Sequence, residues 1–110
     1  MKIYISGKIS GIEDKAHSLF QTAEIELQYK YTKKYEPNAF VVVQDFTIIN
    51  PLKLPHLHDK TWKAYMIEDL KALLECDTIY MLKNWNESKG ATIERQLALQ
   101  LGLNVIYQDC

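Results

Sequence analysis

The sequence predicts an α/β fold: a small doubly wound parallel sheet of about four strands with helices on both faces. Three observations carry this expectation. Short apolar runs such as Asp77–Leu82 (DTIYML) have the look of strands buried on both sides. They alternate with longer segments whose apolar residues recur at three- and four-residue steps, the period of a helix. The resulting order is β-α-β-α-β-α-β, without internal repeat or low-complexity linker, and right-handed crossovers turn such an order into a parallel sheet.

Composition narrows the class. The 110 residues suit one domain, residues 1–110, and are too few for two comfortable cores. Hydrophobic residues at 47% and charged residues at 25% are globular averages. A net charge of −1 gives no broad attraction to extended nucleic acid or to an anionic membrane. No apolar run approaches the roughly 18 residues of a membrane span, and MKIYIS opens as a strand rather than as a signal peptide. Cys76 and Cys110 lack disulfide-framework or zinc-site spacing, so the expected setting is a reducing cytoplasm. Cys76 is then a small buried hydrophobe and Cys110 a loose terminal thiol.

Ile3–Ser6 is the first strand. It enters Gly7-Lys8-Ile9-Ser10-Gly11, where glycines let backbone N–H groups approach a ligand and Lys8 adds a positive charge. The first helix is expected from Ile12 to Lys34, with Ala16, Leu19, Phe20, Ala23, Leu27 and Tyr31 on one face. Glu13 and Asp14 suit its first turn, and Lys30, Lys33 and Lys34 its last, as the helix dipole favours. Pro37 and Asn38 close it. Phe40–Val43 and Phe46–Asn50 are β-rich, the second being the better candidate for the second strand of the sheet. The following loop holds His56 and His58. No Cys, Asp or Glu companion completes a recognisable ligand set, so neither a metal nor a cofactor is expected.

The second helix is expected over Thr61–Cys76, with Thr61 as N-cap and Trp62, Met66, Leu70 and Leu73 as its apolar stripe. Asp69 falls inside that stripe, whereas Glu68 and Lys71 read as surface. The third strand is Asp77–Leu82. A polar loop with Trp85 and Ser88 leads to a third helix over Gly90–Leu101, its buried side expected to hold Ile93, Leu97, Ala98 and Leu101. Glu94 lies within that apolar face. Gly102 suits the C′ position, and Leu103–Tyr107 is the fourth strand. The whole reads as a Rossmann- or flavodoxin-like sheet, in which ligands lie at the carboxyl ends of the strands.

Two helices thus each place an acid on an apolar face, and a buried acid needs a partner or a wet cleft. Paired carboxyl groups in a partly dry site are what glycosyl-bond chemistry uses, one as nucleophile and one as proton donor. Glu94, near a helix N-terminus, suits the ionised nucleophile; Asp69, mid-helix, suits the acid. Tyr4, late in the first strand, is placed to hydrogen-bond and orient a carboxylate, or else to pack on the first helix. Ser88 and Gly90, before the third helix, suit a 5′-hydroxyl or 5′-phosphate.

These residues carry a resemblance. The segments IYISGKISGIED, LHDKTWKAYMIEDL, CDTIYML and SKGATIERQLALQLG, in that order, resemble the nucleoside 2-deoxyribosyltransferase-like superfamily, and within it the small members of the DUF4406 type. The resemblance implies cleavage of an N-glycosidic bond, or deoxyribosyl transfer, on 2′-deoxynucleosides or their 5′-monophosphates. It places Glu94 at the family's nucleophile, Asp69 at an active-site aspartate and Tyr4 at the tyrosine that orients the glutamate. Gly7, Lys8, Ile9, Ser88 and Gly90 fall among its substrate-binding positions. Ser88 is similar to the serine of deoxynucleoside 5′-monophosphate N-glycosidases, which binds phosphate where the transferases have an aspartate. Ser10, by contrast, stands where those glycosidases have an arginine. Trp85 or Ile9 is a candidate for the base pocket. The implied partner is a small-molecule nucleoside or nucleotide, and the implied assembly a homodimer or larger. Two other readings stand beside an enzyme: a non-catalytic nucleotide-binding or sensing module of the same fold, and an interaction protein that dimerises through its first helix.

Overall fold

A computed structural model describes residues 1–32 and 46–109. Lys33, Lys34, Pro37, Asn38, Phe40–Val43 and Cys110 lie outside the described residues. Strand β1 (Lys2–Ser6) leads to helix α1 (Glu13–Thr32), then come β2 (Thr47–Ile49), α2 (Trp62–Leu74), β3 (Thr78–Met81), α3 (Lys89–Gln100) and β4 (Asn104–Tyr107). Two short 3-10 turns, Pro51–Lys53 and Trp85–Glu87, were not expected from the periodicity. Three residues are too few to show a period. Asn50 starts the first of them by accepting the Leu52 amide, 3.1 Å away, on its side chain.

The four strands form one sheet in the order β2-β1-β3-β4, and every pairing is parallel. Tyr4 lies opposite Ile49 on one side and Ile79 on the other, so β1 is central. Alternation along the strands divides the core between two faces. Ile3, Ile5, Tyr80 and Leu82 meet Ala16, Phe20, Ala23 and Leu27 of α1. Tyr4, Ile79 and Met81 turn the other way, against Leu73 of α2 and Ala91 and Ala98 of α3. The chain leaves β1 for one neighbour, β2, and returns to the opposite neighbour, β3. The carboxyl ends of β1 and β3 therefore bracket the point where the winding reverses, which is where open α/β sheets leave a crevice.

Helix faces differ in detail from the periodic expectation. On α1, Leu19 is exposed, and the buried Glu24 pairs with Lys53 at 2.6 Å. On α2, Met66, Asp69 and Leu73 are the buried residues, while Trp62 and Leu74 face outward. On α3 the buried stripe is Ala91, Glu94 and Ala98, and Ile93 and Leu101 are exposed. The small alanines let α3 lie close to the sheet, and that narrow contact leaves the bulkier residues on the flanks. Cys76 is buried, and burial pushes its thiol up to about 11, so it behaves as a small hydrophobe. Among the described residues, no helix is long and apolar enough to cross a membrane.

Candidate active site

Each of the two acids occupies the middle of a buried i, i+3, i+7 triplet, Asp69 on α2 and Glu94 on α3. The sheet beneath supplies their companions. Tyr4 and Ser6, two residues apart and so on one face of β1, both reach Glu94. The Tyr4 hydroxyl donates to Glu94 Oε2 at 2.8 Å and the Ser6 hydroxyl to Oε1 at 2.6 Å. Both carboxylate oxygens are thereby held by buried donors, and Glu94 is only 4% exposed. Ser6 was not singled out from the sequence, although the period-two rule that put Tyr4 on this face applies equally to it.

Burial raises the Glu94 carboxyl to about 7, against the lowering effect of the hydrogen bonds from Ser6 and Tyr4. The expectation that the helix terminus would keep Glu94 readily ionised is corrected. Counted from Lys89, Glu94 stands in the second turn of α3, beyond the amides that make a terminus positive, and desolvation dominates. Burial likewise raises Asp69, to about 8, with the charges of Glu94 and then Glu68 adding to the shift and His56 opposing it. Tyr4 is held well above its ordinary value by burial and by Glu94, so it stays a donor across the neutral range.

These groups open into a cleft of about 530 Å³ that Tyr4, Asp69 and Glu94 line together. Gly7, Lys8, Ile9, Ser10, Ser88, Lys89 and Gly90 line it as well, so of the residues singled out for substrate binding all but the base-pocket candidate Trp85 border the same space. The Trp85 ring stacks on the Arg95 guanidinium at 4.8 Å and faces Tyr107 at 6.1 Å, away from the cleft. Besides Tyr4, the cleft is lined by the aromatic rings of Trp62 and Tyr65 of α2 and Phe20 of α1. Trp62 lies under the Lys89 ammonium at 4.9 Å.

Gly7 is needed for a reason other than ligand approach. A Cβ at Gly7 would lie 2.6 Å from Leu82 Cδ1, so the missing side chain lets β1 and the end of β3 pack together. Gly11, by contrast, takes a positive φ of 86°, and its amide donates to the Glu13 carboxylate, turning the loop into α1. The Asn84 side chain accepts the Lys8 amide at 3.0 Å and ties the two cleft loops together. Ser88 is the N-cap of α3: its hydroxyl oxygen accepts the Ala91 amide at 3.1 Å, which leaves its own proton free to donate.

Beside the cleft, Glu68 is not the surface residue expected. It accepts the His56 amide at 2.7 Å and lies 2.6 Å from His56 Nδ1 and 3.5 Å from His58 Nε2. The loop folds back onto α2, which adjacent positions in the sequence do not reveal.

The family model described as "Domain of unknown function (DUF4406)" matches residues 1–107, and the chain belongs to that family. Among solved structures, it is similar to a 2-deoxyribosyltransferase from the psychrotolerant bacterium Bacillus psychrosaccharolyticus, at 18% identity and a TM-score of 0.62. That likeness covers 97% of this chain and 71% of the other. It is a likeness of fold, and the fold is nucleoside 2-deoxyribosyltransferase-like. No curated protein matches the chain.

Proposed function

We propose that this member of the family cleaves the N-glycosidic bond of a 2′-deoxynucleoside or its 5′-monophosphate, with Glu94 as nucleophile. The observation that carries the proposal is the clamp on Glu94: two donors from one strand hold its carboxylate inside a cleft that also contains a second carboxyl group, Asp69, which burial raises to about 8. Glu94 attacks C1′ of the deoxyribose as the bond to the base breaks, and Asp69 delivers its proton to the departing base. The resulting glycosyl ester on Glu94 is opened by water, giving hydrolysis, or by a second base, giving transfer. Tyr4 and Ser6 hold the attacking group in one orientation, so it needs little rearrangement at the moment of reaction.

The 5′ end of the substrate lies against the start of α3. Ser88 donates its hydroxyl proton, the first amides of the helix face the same group, and Lys8 and Lys89 offset phosphate charge. The solved relative is named as a deoxyribosyltransferase, which agrees with deoxyribosyl chemistry on this fold. The protein works as a homodimer or larger assembly.

The test is incubation with a panel of deoxynucleosides and deoxynucleoside monophosphates, following free base by chromatography. The proposal predicts base release from at least one member. Binding without release across the panel would make the protein a nucleotide sensor instead.

A further inference from the structure

Next to the cleft, the fold assembles a set of side chains for which the proposed reaction has no use. His56 and His58 lie on the loop before α2, and Glu68 on α2 itself. One ligating atom from each falls within 4.8 Å of the other two. The histidine side chains are 26% and 15% exposed and that of Glu68 is 17% exposed, so the group is largely shielded. The Tyr65 ring stands edge-on to both imidazoles, with centroids 5.2 and 4.5 Å away. The sequence offered the His-x-His pair no third ligand; the return of the loop onto α2 provides one.

We propose that His56, His58 and Glu68 form a site for a divalent transition-metal ion of the zinc class, bound through His56 Nδ1, His58 Nε2 and the Glu68 carboxylate. Two imidazoles and one carboxylate are a set that zinc accepts while keeping a fourth position open. His56 also lines the cleft, whereas His58 and Glu68 do not, so the site adjoins the substrate space. Tetrahedral bonds of about 2.0–2.2 Å place ligand atoms about 3.3–3.6 Å apart. Glu68 Oε1 stands 2.6 Å from one imidazole nitrogen and 3.5 Å from the other, and the three ligating atoms lie within 4.8 Å of one another, so side-chain rotation has to open the first distance and draw the two imidazoles together.

Two details separate this reading from a plain ion pair. The 2.6 Å ion pair between His56 and Glu68 leaves His58 Nε2 with only a long, 3.5 Å approach to the same carboxylate oxygen: that atom is buried and makes no hydrogen bond among the described residues. A bound ion employs it. In addition, His56 Nε2 lies 3.3 Å from the Leu52 carbonyl, and such a backbone acceptor is what orients a metal-bound imidazole.

Two contacts of Lys60 oppose binding. The Lys60 amide donates to His58 Nδ1 at 3.0 Å, and coordination through Nε2 moves the ring proton to Nδ1. The loop must release that bond, and the Lys60 ammonium on the His56 carbonyl adds a positive charge nearby. Binding is therefore expected to be weaker than at a structural zinc site, where no such bond has to be released.

The experiment uses the full chain stripped with chelator. Zinc is titrated calorimetrically, and cobalt is titrated by visible absorption. One equivalent should bind, with cobalt showing the intense d–d bands of a tetrahedral nitrogen–oxygen site. Glu68→Gln and His58→Gln should each weaken binding at least tenfold, whereas His17→Gln, on α1, should not. No stoichiometric binding by the wild type would overturn the proposal, and so would equal affinity in the Glu68 and His58 variants. If a variant fails to fold by circular dichroism, the wild-type cobalt spectrum decides alone, an octahedral spectrum counting against the site. No substrate enters the assay, so its result is independent of whether base release is found.

Discussion

In the proposed reaction Glu94 and Asp69, chemically similar acids, take different tasks because their surroundings differ. Burial raises both, to about 7 and about 8, but only Glu94 has hydroxyl donors on both oxygens to offset the desolvation. Between those values Glu94 is mostly ionised while Asp69 mostly keeps its proton, the combination a nucleophile and an acid require. The sign of the pH dependence follows. Base release should rise as pH passes about 7 and Glu94 ionises, then fall as it passes about 8 and Asp69 loses its proton. A profile of kcat/KM across the neutral and mildly alkaline range should be a narrow bell, its limbs belonging to the coupled pair. Asp69→Asn should lower the rate by roughly 10²–10⁴-fold and remove the alkaline limb; an alkaline limb that survives in Asp69→Asn would show that another group donates the proton.

At the scale of elements, the site depends on how closely β1, β3 and α3 approach one another. Gly7→Ala forces a Cβ to 2.6 Å from Leu82 Cδ1 and 2.9 Å from its Cβ, so swinging the leucine tip away cannot relieve the clash. Such overpacking costs about 1–3 kcal/mol, measurable as a lower midpoint in urea; an unchanged midpoint would show that β3 gives way freely. At the start of α3, Ser88→Asp keeps a good N-cap, so stability should change little. Its added charge opposes phosphate, and the ratio of nucleotide to nucleoside turnover should fall several-fold. An unchanged ratio would remove Ser88 from the phosphate position. The elements were largely legible in the sequence because each has a period or an apolar run long enough to read. Asp69 and Glu94 were legible for the same reason, as acids at angles where helices carry apolar residues. Ser6 was within reach of the period-two argument but was masked by its position at the strand's last residue. The meeting of Glu68 with His56 and His58 was not legible, because it depends on a loop reversal that no local pattern encodes. Nor was the packing role of Gly7, whose partner Leu82 is remote in the chain.

For the molecule as a whole, the order β2-β1-β3-β4 explains why residues from both ends of the chain share one cleft. Tyr4 and Ser6 come from the first strand and Glu94 from the last helix, yet the reversal of winding between β1 and β3 brings them together. The same topology leaves Ile25 and Tyr29 on the outer face of α1 more than half exposed. Light scattering should report a homodimer or larger assembly, and a purely monomeric active protein would contradict that assignment. The central claim is that a clamped Glu94 attacks the deoxyribose. It is tested most directly by comparing base release by wild type and Glu94→Gln on the best substrate of the panel, with the variant's fold checked by circular dichroism. A loss of at least about 10³-fold is expected, as when an enzyme loses its nucleophile. A Glu94→Gln protein as active as the wild type would contradict it.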